Sequence, residues 1–359
     1  MTTVPALRDD DTIREVLQQW LSERIGDSSG LVVADLDRPQ GAGGSNETLL
    51  LRANWTRDGH ARTIELVVRI APTMLQVFLN PQFEQQYRTI EALGRHSAVP
   101  LPSVLGFESD PGLLGAPFWV MDRVHGDAPS DFPPYNKTGF LLEASAEQRE
   151  RLWRNAVETF GAVHRVAVEP FAFLNDSTSA ETPLDGQLSY WKSSLDWASE
   201  GQPADTLEAL HDWLRARRPA DATAGLSWGD ARMGNMLFRD WQCVAVLDWE
   251  MVSLAGPHVD LAWWLLLDEA LSSDIGLDRL PGLGNRADTI ALWEEGSGLR
   301  AGDLEWYEAF AGFRLGVILL RGANIRRAFN VPVPKPGEFG SYEGLIHKLA
   351  QRYELPENG

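Results

Sequence analysis

The sequence predicts an α+β protein in which a small β-rich part precedes a larger, mainly helical part. Between about residues 31 and 70, apolar and polar residues alternate with period two, which is typical of strands. After about residue 123 the apolar residues recur with helical spacing. A chain of 359 residues is also too long for one small core. We therefore expect two lobes, residues 1–122 and 123–359, with Phe118–Asp122 as the hinge.

The N-terminal lobe is predicted to open with an amphipathic helix over residues 11–25, with Ile13, Leu17 and Trp20 on its apolar face. Three strands follow, in LVVADLD, ETLLLRANW and TIELVVRI, and the polar break at 57–60 predicts a hairpin between the last two. Pro81 then begins a helix in QFEQQYRTIEALGRH. Strands in LPSVLGFES and APFWVMDRV complete the sheet, so an antiparallel sheet with one helix is expected.

The C-terminal lobe is predicted to be built from long helices with apolar stripes. Helical spacing is found over residues 146–166, 186–199, 261–270 and 304–321. The segments 123–145 and 271–287 are rich in proline, glycine and acidic residues and are predicted to be loops. These loops and the helices beside them are the expected walls of a substrate pocket.

Composition excludes several classes of protein. A net charge of −19 repels polyanions, so nucleic acid and acidic membranes are not expected partners. The single cysteine, Cys243, cannot form an internal disulfide. The apolar run Leu261–Leu267 is far shorter than the ~20 residues that span a bilayer. The polar, acidic N-terminus argues against a signal peptide, and a cytoplasmic location is expected.

Two motifs carry the chemistry: WGDARMGN at 228–235 and VAVLDWE at 244–250. They place Asp230, Asn235 five residues later, and Asp248 at the end of an apolar run. Phosphoryl transfer needs a carboxylate that aligns the attacking hydroxyl, which fits Asp230, and oxygen ligands for Mg²⁺, which fit Asn235 and Asp248. The alternative for each is a local turn or cap role, but the three together favour catalysis.

With these motifs, the chain resembles the aminoglycoside phosphotransferase-like family of small-molecule kinases. The resemblance covers about residues 30–330 and is carried by SNETLLL, LVVRIAP, VPLPSVLGFESD, LGAPFWVMDRVHG, LSWGDARMGNMLF, VAVLDWEMVSLAGPHVDLAWWL and EWYEAFAGFRLGV. It implies a protein-kinase-like bilobal fold with ATP or GTP in the cleft between the lobes. It also implies a hydroxyl group of a small molecule as the phosphate acceptor.

The resemblance assigns further residues to the nucleotide. Arg69 stands where the family has a strand lysine on the α- and β-phosphates, and the family's helix partner would be Glu84 or Gln86, if either; a strand-end arginine that faces solvent is the alternative. The loop that contains Gly43, Gly44 and Ser45 would bind phosphate through its backbone or the serine hydroxyl; a plain β-turn is the alternative. The main chain from Trp119 to Met121 would bind a purine, as the family's hinge does.

Three further positions, in or near these motifs, have expected roles. Arg232 occupies an offset at which protein kinases often have a lysine, and it is a candidate to offset charge on the transferring phosphoryl group; a surface ion pair is the alternative. Trp228 replaces a more usual histidine, and we expect it to fill that volume. Asp260 is expected to brace the catalytic loop by hydrogen bonds.

The sequence therefore predicts a nucleotide- and Mg²⁺-dependent phosphotransferase with a small-molecule hydroxyl acceptor. The alternative, motivated by Arg69, Gln86 and Trp228, is a nucleotide-binding pseudo-kinase module without turnover. The motifs do not identify the acceptor, and aminoglycosides remain one possibility. They also do not choose between ATP and GTP or predict an oligomeric state.

Overall fold

The computed structural model describes residues 9–39, 46–73, 76–175 and 182–357. These residues divide into two compact units. The first unit lies within 1–76 and 102–124, and the second within 77–101 and 125–359. The first unit carries the large sheet, and the second carries most of the helices.

In the described residues the strands are β1 Val32–Asp37, β2 Glu47–Arg57, β3 His60–Ile70, β4 Val104–Glu108, β5 Phe118–Asp122, β6 Met236–Arg239 and β7 Gln242–Val246. The α-helices are α1 Asp10–Arg24, α2 Phe83–His96, α3 Pro111–Leu114, α4 Phe140–Glu143, α5 Ala146–Val163, α6 Pro183–Ala198, α7 Asp205–Ala216, α8 Pro257–Ala270, α9 Arg286–Ser297, α10 Glu305–Ala328 and α11 Tyr342–Tyr353. The predicted α+β class is confirmed.

The sheet of the first unit has the order β1-β2-β3-β5-β4, and every neighbouring pair is antiparallel. The predicted hairpin joins β2 to β3 through Asp58 and Gly59, whose φ angles are 51° and 77°. Two positive φ angles match the twist of a two-residue hairpin turn. The alternating strand residues Leu49 and Leu51 are buried, so one face of the sheet forms the core.

Helix α1 covers this apolar core. Its residues Ile13, Leu17 and Trp20 are buried in the same cluster as the strand side chains, which is the predicted face. Asp9 caps the helix by accepting a hydrogen bond from the Thr12 N–H at 3.2 Å. The Trp20 indole donates to Glu108 at 3.0 Å and so joins α1 to β4.

The second unit is built on packed helix pairs, among them α5 with α9 and α8 with α10. Helix α2 belongs to this unit, where the Arg88 guanidinium lies 4.1 Å from the ring centre of Phe173. The sequence interpretation grouped α2 with the β-rich lobe because it lies between strands in the chain. Among the described residues, no helix is both long and apolar enough to cross a membrane.

Candidate active site

The loop that carries Asp230 lies between two paired segments of the second unit. Ser227 pairs with Ser253, and a 3-10 turn at Met233–Asn235 leads into β6. Gly229 has φ of +100°, and a Cβ at this position would lie 2.2 Å from the carbonyl oxygen of Met251. Only glycine can adopt this conformation and approach the neighbouring main chain so closely. The glycine therefore sets the direction in which Asp230 leaves the loop.

Three side chains hold the Asp230 carboxylate. Asn235 Nδ2 donates to Oδ2 at 2.7 Å, and Trp263 Nε1 donates to Oδ1 at 2.8 Å. Arg232 Nε also donates to Oδ2, at 3.0 Å. Both carboxylate oxygens are thus directed by fixed donors, which orients the group for work on a single reacting hydroxyl.

The electrostatic surroundings of Asp230 are those of a functional carboxylate. Burial, and next the negative charge of Asp248, raise the pKa of Asp230 to about 7. The hydrogen bonds from Trp263 and Asn235 act in the opposite direction. A buried acid with a shifted pKa beside a second carboxylate is typical of active sites.

Asp260 braces this loop from α8, as the sequence led us to expect. Its Oδ1 accepts from the Ser227 hydroxyl at 2.6 Å and from the Gly229 N–H at 2.9 Å. Its Oδ2 accepts from the Trp228 N–H and from His164 Nε2. A fully buried carboxylate with four donors satisfies three residues of the loop at once.

Arg314 is a functional residue that sequence reasoning missed. This buried guanidinium donates from Nη2 to the Gly229 carbonyl at 2.9 Å, and its centre lies 4.7 Å from the Trp263 ring centre. Burial lowers the pKa of Arg314 to about 10, against the effect of Asp260 and Asp230. The available signal was one charged residue inside the apolar run FAGFRLGVILL. Such a residue is seldom buried without a specific partner.

Trp228 does more than fill space. Its indole Nε1 donates to the carbonyl oxygens of Leu247 at 2.8 Å and Asp248 at 3.1 Å. Its ring also lies 5.8 Å from that of Trp249. The residue therefore ties the loop of Asp230 to the main chain that carries Asp248.

Asn235 and Asp248 are neighbours through the main chain. The Leu247 N–H donates to the Asn235 carbonyl at 2.8 Å, which sets Asp248 beside the 3-10 turn. Asp248 itself has φ of +59°. Its Oδ1 is buried and has no hydrogen-bond partner within the described part of the chain. A buried carboxylate oxygen without a donor fits a cation, so the residues present suit Mg²⁺.

The amide of Asn235 fits the same role. Its Nδ2 donates to both the carbonyl oxygen and the carboxylate of Asp230, at 3.0 and 2.7 Å. These two bonds fix the amide orientation and leave Oδ1 as an acceptor. One carboxylate and one amide oxygen are therefore the protein ligands that would hold the metal ion.

Arg232 bridges two carboxylates, Asp230 and Asp131, from the predicted loop 123–145. Gly234 makes this possible, since a Cβ there would lie 2.6 Å from both Arg232 Nη1 and Asp131 Oδ1. Asp131 was not singled out from the sequence. The arrangement places the guanidinium, which is half-buried, beside the Asp230 carboxylate.

Of the remaining predicted residues, Arg69 lies on β3 of the first unit, where its Nη1 donates to Thr48 Oγ1 at 2.9 Å. Glu84 and Gln86 lie on α2 of the second unit, where Gln86 Nε2 donates to the Pro81 carbonyl at 2.8 Å. Gly43, Gly44 and Ser45 lie outside the described residues. The second unit thus brings together Asp230, Arg232, Asn235 and Asp248, whereas Arg69 lies on a strand of the first unit.

The residues predicted to contact a purine, Trp119 and Met121, lie inside β5, which has β3 on one side and β4 on the other. Next along the chain, the Arg123 N–H donates to the Glu65 carbonyl at 2.9 Å. The purine contact stays a prediction.

The fold and the carboxylate–amide cluster define a kinase-like phosphotransferase class, and solved structures share the fold. A protein of Ralstonia eutropha JMP134 assigned as an aminoglycoside phosphotransferase has a TM-score of 0.68 at 22% identity, over 94% of this chain and 98% of its own. ADP-bound APH(2'')-Ib has a TM-score of 0.56 at 14% identity, over 96% and 97%. The macrolide 2'-phosphotransferase MphH of Brachybacterium faecium has 0.54 at 16%, over 96% and 100%. The protein-kinase-like fold predicted from the sequence is confirmed.

The model of the phosphotransferase enzyme family (APH) matches residues 39–299, so the chain belongs to this family. The resemblance inferred from the sequence is confirmed.

Curated relatives carry other names. Acyl-CoA dehydrogenase family member 11 of Homo sapiens is 26% identical over 188 residues, 52% of this chain and 23% of that protein. Acyl-CoA dehydrogenase family member 10 of Mus musculus is 25% identical over 201 residues, 55% of this chain and 18% of that protein. The chain spans about a fifth of the length of the curated relatives it matches.

Proposed function

We propose that the chain transfers the γ-phosphoryl group of ATP or GTP to a hydroxyl group of a small molecule. The observation that carries this proposal is the Asp230 carboxylate, held at both oxygens by Asn235, Trp263 and Arg232. A carboxylate fixed in this way can align an acceptor hydroxyl and take its proton as the phosphoryl group departs.

Mg²⁺ is the proposed cofactor, held by the Asp248 carboxylate and the Asn235 amide oxygen. The unpartnered, buried Oδ1 of Asp248 supports this assignment. The ion would supply positive charge against the nucleotide phosphates. Burial, and next the negative charge of Asp248, raise the pKa of Asp230. Bound cation would oppose that effect and favour the ionised form of Asp230.

Arg232 is proposed to act on the transferring group. Its guanidinium is held between Asp230 and Asp131, so it enters the reaction already oriented. A fixed cation at this place stabilises negative charge that develops on the phosphoryl oxygens. Asp131 is then a positioning residue that shares this cation with Asp230.

Arg69 is proposed to bind phosphate, together with the loop that contains Gly43, Gly44 and Ser45. ADP in the structure of APH(2'')-Ib supports a nucleotide for this fold. Comparison of initial rates with ATP and GTP at matched concentrations decides between the two.

The test is release of ADP or GDP across a panel of hydroxyl compounds. The panel contains aminoglycosides, macrolides, sugars and hydroxyacyl thioesters, the last because the curated relatives bear acyl-CoA dehydrogenase names. We expect turnover that needs Mg²⁺ and falls about 10²–10⁴-fold in Asp230→Asn. Asp240→Asn, at an exposed turn residue with φ of +53°, is the matched control.

The alternative is a pseudo-kinase module that binds nucleotide without turnover. It predicts a nucleotide-dependent rise in melting temperature and no release of ADP or GDP with any acceptor. A ~100-fold excess of ligand over Kd stabilises a protein by about 2.7 kcal/mol, so binding is readily measured. That pair of results would replace the proposal of catalysis.

A further inference from the structure

Helices α5 and α9 approach each other at two glycines. A Cβ on Gly161 would lie 2.8 Å from the main-chain carbon of Gly296, so no larger side chain fits between the helices. His164 follows Gly161 by three residues, and Trp293 precedes Gly296 by three. Residues three apart share a helix face. The glycine contact therefore brings His164 and Trp293 together in the core.

These two residues form a hydrogen-bonded chain that ends at the loop of Asp230. Trp293 Nε1 lies 2.8 Å from His164 Nδ1, and His164 Nε2 lies 3.0 Å from Asp260 Oδ2. The side chains of His164 and Asp260 are fully buried, and Trp293 is 0% exposed. The chain is thus closed to solvent from end to end.

The chemistry of the indole fixes the state of the imidazole. An indole N–H can only donate, so His164 Nδ1 must be the bare, accepting nitrogen. The proton of the neutral ring then sits on Nε2, and it is donated to Asp260. While the Trp293 N–H donates to Nδ1, that nitrogen cannot carry a proton of its own. His164 is held as one tautomer, which acts as a donor to Asp260.

We propose that His164 and Trp293 are positioning residues that lock Asp260, and through it the main chain of Trp228 and Gly229, in the geometry that presents Asp230. This inference rests on the proposed function for its kinetic consequence. The alternative is that the two rings only fill volume in the core. It predicts that any residue of similar size at either position would retain full activity.

The charged surroundings of His164 are few. Asp260 faces it from α8, and Arg314 on α10 interacts electrostatically with that carboxylate. The Phe160 ring packs edge-on at 4.6 Å from within α5. From α8, the ring of His258 lies 5.7 Å from that of Trp293. Asp260 is therefore the one ionisable partner in direct contact with the imidazole among the described residues.

The kinetic test compares His164→Gln with His164→Leu. The Gln amide N–H can still donate to Asp260, whereas Leu of similar size cannot. We expect kcat to fall about 10- to 100-fold in His164→Leu, with the KM for nucleotide nearly unchanged, and to recover most of the loss in His164→Gln. Equal kcat in the wild type and His164→Leu, or equal losses in the Leu and Gln variants, would overturn the proposal.

A spectroscopic test needs no turnover and so separates this inference from the proposed function. Nitrogen NMR of ¹⁵N-histidine protein reports the proton on each ring nitrogen. We expect the wild type to show a proton on Nε2 and a bare Nδ1, and the Nδ1 resonance to shift in Trp293→Phe, which removes the hydrogen bond from the indole. An Nδ1–H signal in the wild type, or an Nδ1 resonance unchanged in Trp293→Phe, contradicts the lock. If no acceptor is ever phosphorylated, this result still decides the point.

Discussion

Asp260 and Arg314 hold the two main-chain polar groups of Gly229. The N–H of Gly229 donates to Asp260 Oδ1 at 2.9 Å, and its carbonyl oxygen accepts from Arg314 Nη2 at 2.9 Å. A buried anion and a buried cation thus meet at the residue before Asp230. Because each charge also offsets the other, loss of either one is felt at the same loop.

Arg314→Met should therefore destabilise the protein strongly. The methionine keeps much of the volume, but it leaves the Gly229 carbonyl without its donor and Asp260 without its counter-charge. We expect a loss of about 3 kcal/mol in the free energy of unfolding, measured by denaturant titration. Arg300→Met, at a side chain 89% exposed, is the control and should change stability little.

Gly229→Ala should destabilise the protein by more than the unfavourable backbone angle alone would. The added Cβ would collide with the Met251 carbonyl at 2.2 Å, on top of a φ of +100°. Gly298 has a similar positive φ, +74°, but open space around its Cβ position. We expect about 1–2 kcal/mol of destabilisation in Gly298→Ala and clearly more in Gly229→Ala, read from melting curves. Equal effects would mean that the loop moves aside freely.

Asp248→Asn should weaken the use of metal. The amide keeps the shape and one oxygen of the side chain but removes the charge that Mg²⁺ prefers. We expect the Mg²⁺ concentration for half-maximal turnover to rise about 10- to 100-fold, whereas Asp240→Asn should leave it unchanged. An unaltered Mg²⁺ requirement in Asp248→Asn would remove this residue from the metal site.

Trp263→Phe removes one hydrogen bond to Asp230, the proposed catalytic carboxylate. The phenyl ring still packs under Arg314, but the donor to Asp230 Oδ1 is gone. We expect kcat to fall about tenfold. Trp306→Phe is the matched control, because the Trp306 indole also donates one buried hydrogen bond, to the Leu214 carbonyl at 2.9 Å. A similar loss in both variants would point to packing alone.

His211 should make the free energy of unfolding depend on pH. Burial, and next the positive charge of Lys192, lower the pKa of His211 below its ordinary 6.5. Below about pH 6.5 the unfolded chain binds a proton at His211, whereas the folded protein does so only at lower pH. The contribution of His211 to the free energy of unfolding is therefore complete above about pH 6.5 and is lost as the pH falls towards the folded-state pKa. His211→Gln should flatten the slope of unfolding free energy between about pH 5 and 7. An unchanged slope in His211→Gln would contradict this assignment to the buried imidazole.

The sequence predicted the features that depend on residues close together in the chain. The hairpin at Asp58–Gly59, the face of α1 and the Asp230–Asn235–Asp248 set all follow from spacing within a short stretch. Arg314, Trp263 and His164 could not be found in this way, because their partners lie far along the chain. A tryptophan in a helix has the same appearance in the sequence whether it fills a core or donates to a carboxylate. The two-sided pairing of β5 was likewise invisible before the strand order was known.

The bond from Arg314 to Gly229 joins residues that are 85 positions apart in the chain. During synthesis the loop that carries Asp230 leaves the ribosome well before α10 does. N-terminal parts of a chain can begin to fold while the rest is still being made, at about 5–20 residues per second. The hydrogen bond from Arg314 to the loop of Asp230, however, can form only several seconds later, after Arg314 has been synthesised. A nascent chain that ends before residue 314 carries the full motif and still lacks the support that shapes it.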